Sequence, residues 1–297
     1  MQCSKCYRDA IIFQPYSGQH LCVQHVAADV EAKAKKVIRA HRWLTCGDHI
    51  AVVLSGNRSS SALLYFLKQL TAERRDIRIS AITIDEGIQS PGDPSRAKRI
   101  AELLDAECFA GSFQEDPGTE AGAVAQKTPD VSASPDCHTH RSLLLDRIAR
   151  KHGITKIAMG FCLDDAAGAV LETVLRGDVE RIISGTCSHC TIPRISPFIS
   201  VPAEEVSMYA ALHGFGQDCP PDPDRKDGLH TDLFALLDKY TKNHPATQYA
   251  LLNLGELLAG SPSGSAGLVP AIEWWREPGP RICRNNSLCN EVSDGAH

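Results

Sequence analysis

From residue 49 onward, short apolar runs alternate with amphipathic stretches. "HIAVVLS" (49–55), "IRISAITID" (77–85), "CFAGSF" (108–113) and "KIAMGF" (156–161) are the apolar runs. Their length, their Ile, Val and Phe content and their polar flanks predict buried strands. The segments between them carry apolar positions at helical spacing. Strands alternating with helices, from about 49 to 185, predict a parallel sheet with both faces covered. Before that block, "VAADVEAKAKKVIRAHRW" predicts a helix, and further helices are expected near 203–213 and 230–243.

The pattern breaks in two places. "QEDPGTEAGAVAQKTPDVSASPD" (114–136) is polar and rich in breakers, so it reads as a long loop. "LAGSPSGSAG" leads into a Ser, Gly and Pro-rich tail. The domains are accordingly drawn at 1–28 (a cysteine-rich module), 29–48 (a basic linker helix), 49–220 (the α/β domain) and 221–297 (a helical region with a cysteine-poor tail). At 297 residues and 43% hydrophobic content, the chain can bury a sizeable core. No stretch is long and apolar enough to span a membrane, and "MQCSKCYRDA" is no signal peptide, so the expected location is the cytoplasm. The net charge of −5 gives no global attraction for nucleic acid. RNA contact would need a local patch, for which Lys33, Lys35, Lys36, Arg39 and Arg42 on the early helix are the candidates, with Lys5 and Arg8 beside them. A solvated helix face explains the same charge run equally well.

Twelve cysteines in a chain without a secretion signal point to metal or thiol chemistry. Cys3-x2-Cys6 and Cys22-x2-His25, fifteen residues apart, offer two tight pairs of soft ligands, enough for one tetrahedral zinc ion. Four protein ligands leave no open position, so the expected role is structural. Cys187-x2-Cys190 is a further pair without partners.

The most distinctive turn is "LSGNRSSSALL" (54–64), a Gly and Ser-rich bend between a strand and a helix. Backbone N–H groups and a helix N-terminus in such a bend can cradle phosphates. With the cysteine module ahead of it, "SGNRSSS" resembles the S-G-G-x-D-S loop of the PP-loop ATP pyrophosphatases. More narrowly, it is similar to the TtuA/TtcA-type tRNA 2-thiolation enzymes. "AITIDEGIQS", "CHTHRSLLLDRIARKHG", "AMGFCLDDAAGAVLETVLRGD" and "VPAEEVSMYAALHGFGQDCPP" extend the resemblance in order to about residue 255.

The resemblance implies a Rossmann-like parallel sheet of the adenine nucleotide alpha-hydrolase (PP-loop) type with an N-terminal zinc ribbon. It implies ATP and Mg²⁺ at Ser55, Gly56, Arg58, Ser60, Ser61, Asp85, Gly160 and Asp165, with Cys137, Cys219 and Asp164 catalytic. It implies tRNA as substrate, sulfur from a donor protein or sulfide, and either a persulfide thiol or a 4Fe-4S cluster on Cys137, Cys162 and Cys219. A homodimer is left open. The departures fall at the chemistry: Asn57 replaces the second loop Gly, Ser59 the loop Asp, Ser134 the first cysteine of a C-x-x-C pair, and Phe161-Cys162 a His-Asn. The family's C-terminal zinc ribbon is reduced to Cys283 and Cys289. The expected function is ATP-dependent tRNA 2-thiolation. The alternatives are a zinc-containing tRNA- or partner-binding module without turnover, or a PP-loop ligase that adenylates a carbonyl without sulfur.

Overall fold

The computed structural model describes residues 1–85, 93–113, 135–177, 191–215 and 228–259, with backbone alone at 135–139 and 228–231. The chain begins with a hairpin, β1 (Ile12–Gln14) and β2 (Gln19–Leu21), followed by α1 (Val23–His41). Five strands then form one parallel sheet: β3 (His49–Val53), β4 (Arg78–Asp85), β5 (Glu107–Ser112), β6 (Lys156–Ala158) and β7 (Arg194–Ile195). The helices are α2 (Arg58–Leu70), α3 (Pro94–Leu103), α4 (Pro135–Lys151), α5 (Leu163–Arg176), α6 (Ala203–Leu212), α7 (Gly228–Asn243) and α8 (Thr247–Leu258). The four strands expected from apolar periodicity are all present. The hairpin, β7 and α8 were not expected.

Strand order is β5-β4-β3-β6-β7, so the chain moves outward from β3 in one direction and then returns to build the other half. Between β3 and β6 lies the point where that order reverses, the place where open α/β sheets bind ligands. β3 explains why its sequence is apolar throughout. Ile50 and Val52, with Leu54 just beyond the strand, pack into a core shared with α1, α2, α3 and α6. Ala51 packs into the opposite core, with α4, α5 and α8. Period-two alternation gives each face its own set of side chains. In α2, Leu63, Leu64, Phe66 and Leu67 are buried, each burial stabilising by about 1.5–3 kcal/mol.

Two buried ionic contacts hold the edges. Asp146 of α4 meets Arg194 of β7 at 2.8 Å, both side chains being almost fully enclosed. The same carboxylate accepts from the Thr191 hydroxyl at 2.6 Å, which anchors the chain entering this two-residue strand. Sequence periodicity cannot reveal so short a strand. The second contact docks the N-terminal module. Glu205 of α6, 2% exposed, accepts from Gln14 at 2.9 Å, from Lys33 at 2.8 Å and from the Tyr16 hydroxyl. Lys33 also pairs with Asp29 at 2.8 Å. Burial alone would push the Lys33 ammonium down; Glu205 and Asp29 reverse that and raise it.

The basic helix expected at 29–48 belongs to α1, which begins earlier, at Val23, and ends at His41. α1 starts from Cys22 and carries His25 in its first turn, so it grows out of the cysteine module, and its buried face belongs to the main core. Lys33 faces inward.

Removing one member of a buried ionic network strands the others without partners, at a cost of about 3–5 kcal/mol. Glu205→Ala should lose stability of that order in urea unfolding. Pairing Lys33→Met with Glu205→Leu should recover most of it, and a double variant as weak as the single one would show that the network is not what docks the module.

Candidate functional site

The four donors at the N-terminus converge. Ligand atoms of Cys3, Cys6, Cys22 and His25 all lie within 4.8 Å of one another. Cys3 Sγ and Cys22 Sγ each stand 3.3 Å from His25 Nδ1, and Cys6 Sγ stands 3.7 Å from Cys22 Sγ. Thiolates held about 2.3 Å from a tetrahedral ion stand about 3.8 Å apart, so the cluster fits a metal ion without rearrangement. Burial would push the Cys3 thiol up. Hydrogen bonds from the backbone of Lys5, Cys22 and Cys6 and from His25 outweigh it and bring the thiol down to about 6. A thiol that ionises this readily is ready for a metal.

The 54–61 bend leaves the carboxyl end of β3 at the reversal point. Gly56 adopts φ +79°, a region that glycine enters without strain, and a Cβ there would stand 3.2 Å from the Asp93 carbonyl. Asn57 caps α2 by accepting from Ser60 N at 2.9 Å. Ser55 Oγ and Ser60 Oγ lie 3.4 Å apart, and Ser61 Oγ donates to the Asn57 carbonyl at 2.6 Å. Leu54 N donates to the Ile82 carbonyl at 2.8 Å, which places the bend beside β4, with Asp85 exposed at that strand's end. Gly160, after β6, comes closest of all: a Cβ there would stand 3.0 Å from Ser60 N and 3.2 Å from the Ser59 carbonyl carbon. Ser55, Gly56, Ser60, Ser61 and Gly160 thus form one site, and α3 begins against it through Asp93 N, which donates to the Ser55 carbonyl at 3.1 Å.

The acidic pair is disposed otherwise than its sequence position suggests. Asp164 is half-buried, its oxygens accepting from Ala203 N at 2.7 Å and Gln248 Nε2 at 2.9 Å. Burial pushes its carboxyl up, and Asp165 adds to that. Asp165 reaches back to Cys162 N at 2.8 Å and closes the start of α5. Asp165 thus caps its own helix, while Asp164 ties α5 to α6 and α8. Cys162 is buried two residues after Gly160, with its Sγ 3.8 Å from the Gly160 carbonyl. Cys137 lies in the first turn of α4, where only backbone is described. Cys219, Ser134, Cys187, Cys190, Cys283 and Cys289 lie outside the described residues.

Sequence reasoning missed two members of this neighbourhood, Asp93 and Gln248, and named Gly160 without its close packing. Asp93 caps α3 ahead of Pro94, a start signal legible in "GDPSRAKR". Gln248 sits on α8, which was not foreseen. The tight fit of Gly160 had no local signal. On the basic helix, Lys35 pairs with Glu31 at 2.7 Å, while Arg39 and Arg42 are exposed.

Comparison with known proteins adds the following. The N-terminal LIM domain of 2-thiouridine synthetase TtuA matches residues 2–25, and the PP-loop domain matches residues 26–218. The chain is 29% identical over 279 residues to tRNA 2-thiolation protein NcsA of Haloferax volcanii, covering 87% of each chain. It is 30% identical over 314 residues to cytoplasmic tRNA 2-thiolation protein 1 of Bos taurus, covering 99% of this chain and 84% of that one. U34-tRNA thiolase NcsA of Methanococcus maripaludis, solved with its 4Fe-4S cluster, shares the fold with a TM-score of 0.75 over 88% of both chains, at 24% identity.

The packing at residue 160 yields a direct test. Gly160→Ala sets a methyl group against the backbone of Ser59 and Ser60, and such overpacking costs about 1–3 kcal/mol. The variant should fold with a lowered Tm and bind nucleotide phosphates more weakly, read by equilibrium titration. Unchanged affinity would place the phosphate site away from this contact.

Proposed function

Since the chain belongs to the PP-loop domain family, with a TtuA-type LIM domain at its amino end, we propose that it performs ATP-dependent tRNA 2-thiolation. The observation that carries this reading is the convergence of the Ser55–Ser61 bend and Gly160 at the reversal point of the sheet. Backbone N–H groups and hydroxyls there suit a polyphosphate, and Arg58 at the first position of α2 adds a positive charge.

A pyrimidine carbonyl oxygen is a poor leaving group. Its attack on the α-phosphorus of ATP expels pyrophosphate and leaves the oxygen esterified to AMP. A sulfur nucleophile, supplied as sulfide or by a donor protein, then adds to that carbon, and AMP departs with the original oxygen. In this scheme Ser55, Gly56, Arg58, Ser60, Ser61 and Gly160 position the triphosphate, with Asp85 at the edge of the nucleotide. Asp165 keeps the start of α5 in place against Gly160. Mg²⁺ would accompany the triphosphate, as charge neutralisation requires. Sulfur handling falls to Cys137 and Cys219. Cys137 stands in the first turn of a helix, where the dipole favours a thiolate. A 4Fe-4S cluster, where bound, would be held by these two and Cys162. The N-terminal Cys3-Cys6-Cys22-His25 site takes zinc in a structural role. Among the described residues no helix is long and apolar enough to cross a membrane. The cytoplasmic relative supports the same location here.

A second reading has its own observation. Ser59 stands where the family's loop has Asp, and Asp164 is engaged by Ala203 and Gln248, which favours a tRNA-binding protein without turnover.

Two experiments test these proposals. Incubated anaerobically with ATP, tRNA and sulfide, the protein should release pyrophosphate and AMP and yield a thiolated nucleoside by mass spectrometry. Cys137→Ala should retain pyrophosphate release and lose thiolation. No tRNA-dependent pyrophosphate would favour the binding protein, and undiminished thiolation by Cys137→Ala would remove that thiol from the chemistry. Elemental analysis should find about one zinc per chain, the capacity of a four-ligand site. Cys6→Ser should lose it and lower Tm; zinc retained at full occupancy would sink the assignment.

A further inference from the structure

The strands of the parallel sheet have two ends, and the bend at 54–61 stands at the carboxyl end of the central strand β3. At the other, where the chain enters β3, the end of α1 and the end of α2 leave a cleft of about 530 Å³. Lys35, Arg39, Arg42 and Arg74 line it, over an apolar floor that includes Ile38 and Leu70. No carboxylate is among its lining residues. Lys35 and Arg74 have surface partners in Glu31 and Asp76. Arg39 and Arg42 have no carboxylate partner among the described residues. Asp48, which holds Thr45 at the cleft's rim, is itself paired with Lys156 at 2.6 Å.

Arg42 is also conformationally unusual. It closes α1 at φ 53°, with its N–H directed to the Arg39 carbonyl and Trp43 N donating to the Ile38 carbonyl at 3.1 Å. This is the two-bond helix ending whose left-handed residue is most often Gly. The next residue's ring, Trp43, stacks on His41 with centroids 4.7 Å apart, which fixes the segment around Arg42. A cation is therefore held where glycine would sit with less strain, and strain of this kind points to a function.

The geometry points to this cleft as a second RNA contact, one that takes backbone phosphates of a stretch remote from the reacting base. α2 runs from the bend back to the cleft at the other end of the strands, and its thirteen residues measure about 20 Å. An RNA whose base enters at the 54–61 bend and whose backbone crosses that distance reaches the arginines. Phosphates suit exposed guanidinium groups, which bind them in forked pairs. The assignment rests on the tRNA reading for its ligand but not on turnover.

The test is tRNA binding to the full-length protein, measured against salt without ATP or a sulfur donor. Arg39→Gln with Arg42→Gln should reduce the slope of log K against log salt by about 1.5, two phosphate contacts' worth. Lys239→Gln with Lys242→Gln, which removes the same charge from exposed positions on α7, should leave the slope unchanged. Arg42→Gly separates binding from folding: it should weaken RNA binding while Tm stays at or above the wild-type value. An unchanged slope in the arginine pair overturns the assignment and leaves the cleft to an acidic protein surface. An equal loss in the lysine pair, or a lowered Tm in Arg42→Gly, also overturns it. A protein that thiolates tRNA with an unchanged slope keeps the proposed function and loses this contact. One that binds through the cleft without thiolating does the reverse.

Discussion

Everything at the candidate site depends on how closely β6 can deliver Gly160 to the start of α2. The two strands that flank the reversal point send their helices to opposite faces of the sheet, which opens a gap between the helix starts where open α/β sheets bind ligands. A backbone without a Cβ at position 160 lets β6 come within contact of the Ser59–Ser60 backbone. The bend on the β3 side then needs its own glycine at position 56, because Asp93 and α3 press on it from the side. The hydroxyls of Ser55, Ser60 and Ser61 fall into place as a consequence of where those backbones stand.

The charged residues around this centre are largely structural, and that shapes the chemistry open to it. Asp164 secures α5 to two later helices, and Asp165 closes the start of its own helix. Lys33 and Glu205 clamp the metal-binding module to the sheet domain, so the module is continuous with the core and not hung from a linker. Asp146 and Arg194 do the same for the last strand. Buried charges survive only when paired and hydrogen-bonded, which is why each sits in a contact between elements. The bend itself offers backbone amides and the Ser55 and Ser60 hydroxyls, a set suited to anions. At the opposite end of the strands the exposed arginines offer the same preference on a larger scale.

Much of this was legible from the sequence because it is local. Short apolar runs rich in Ile, Val and Phe revealed β3, β4, β5 and β6, since strands covered on both faces read as continuous apolar sequence. The spacing of Cys3, Cys6, Cys22 and His25 revealed the four-donor cluster, since two tight turns and one hairpin bring the four donors together. The Gly and Ser content of 54–61 marked the bend. Strand β7 escaped because two residues carry no period, and α8 because its boundaries lack capping signals.

Only the tertiary structure decided which charges were committed. Asp164 meets Gln248 across 84 positions, and Lys33 meets Glu205 across 172. In the sequence Asp164 reads as a metal or phosphate ligand and Lys33 as part of a basic surface, because residue type and local spacing describe what a side chain can do. What it does is set by the neighbour that packing brings to it. That neighbour depends on the crossing of helices far apart in the chain, which no short window of sequence contains.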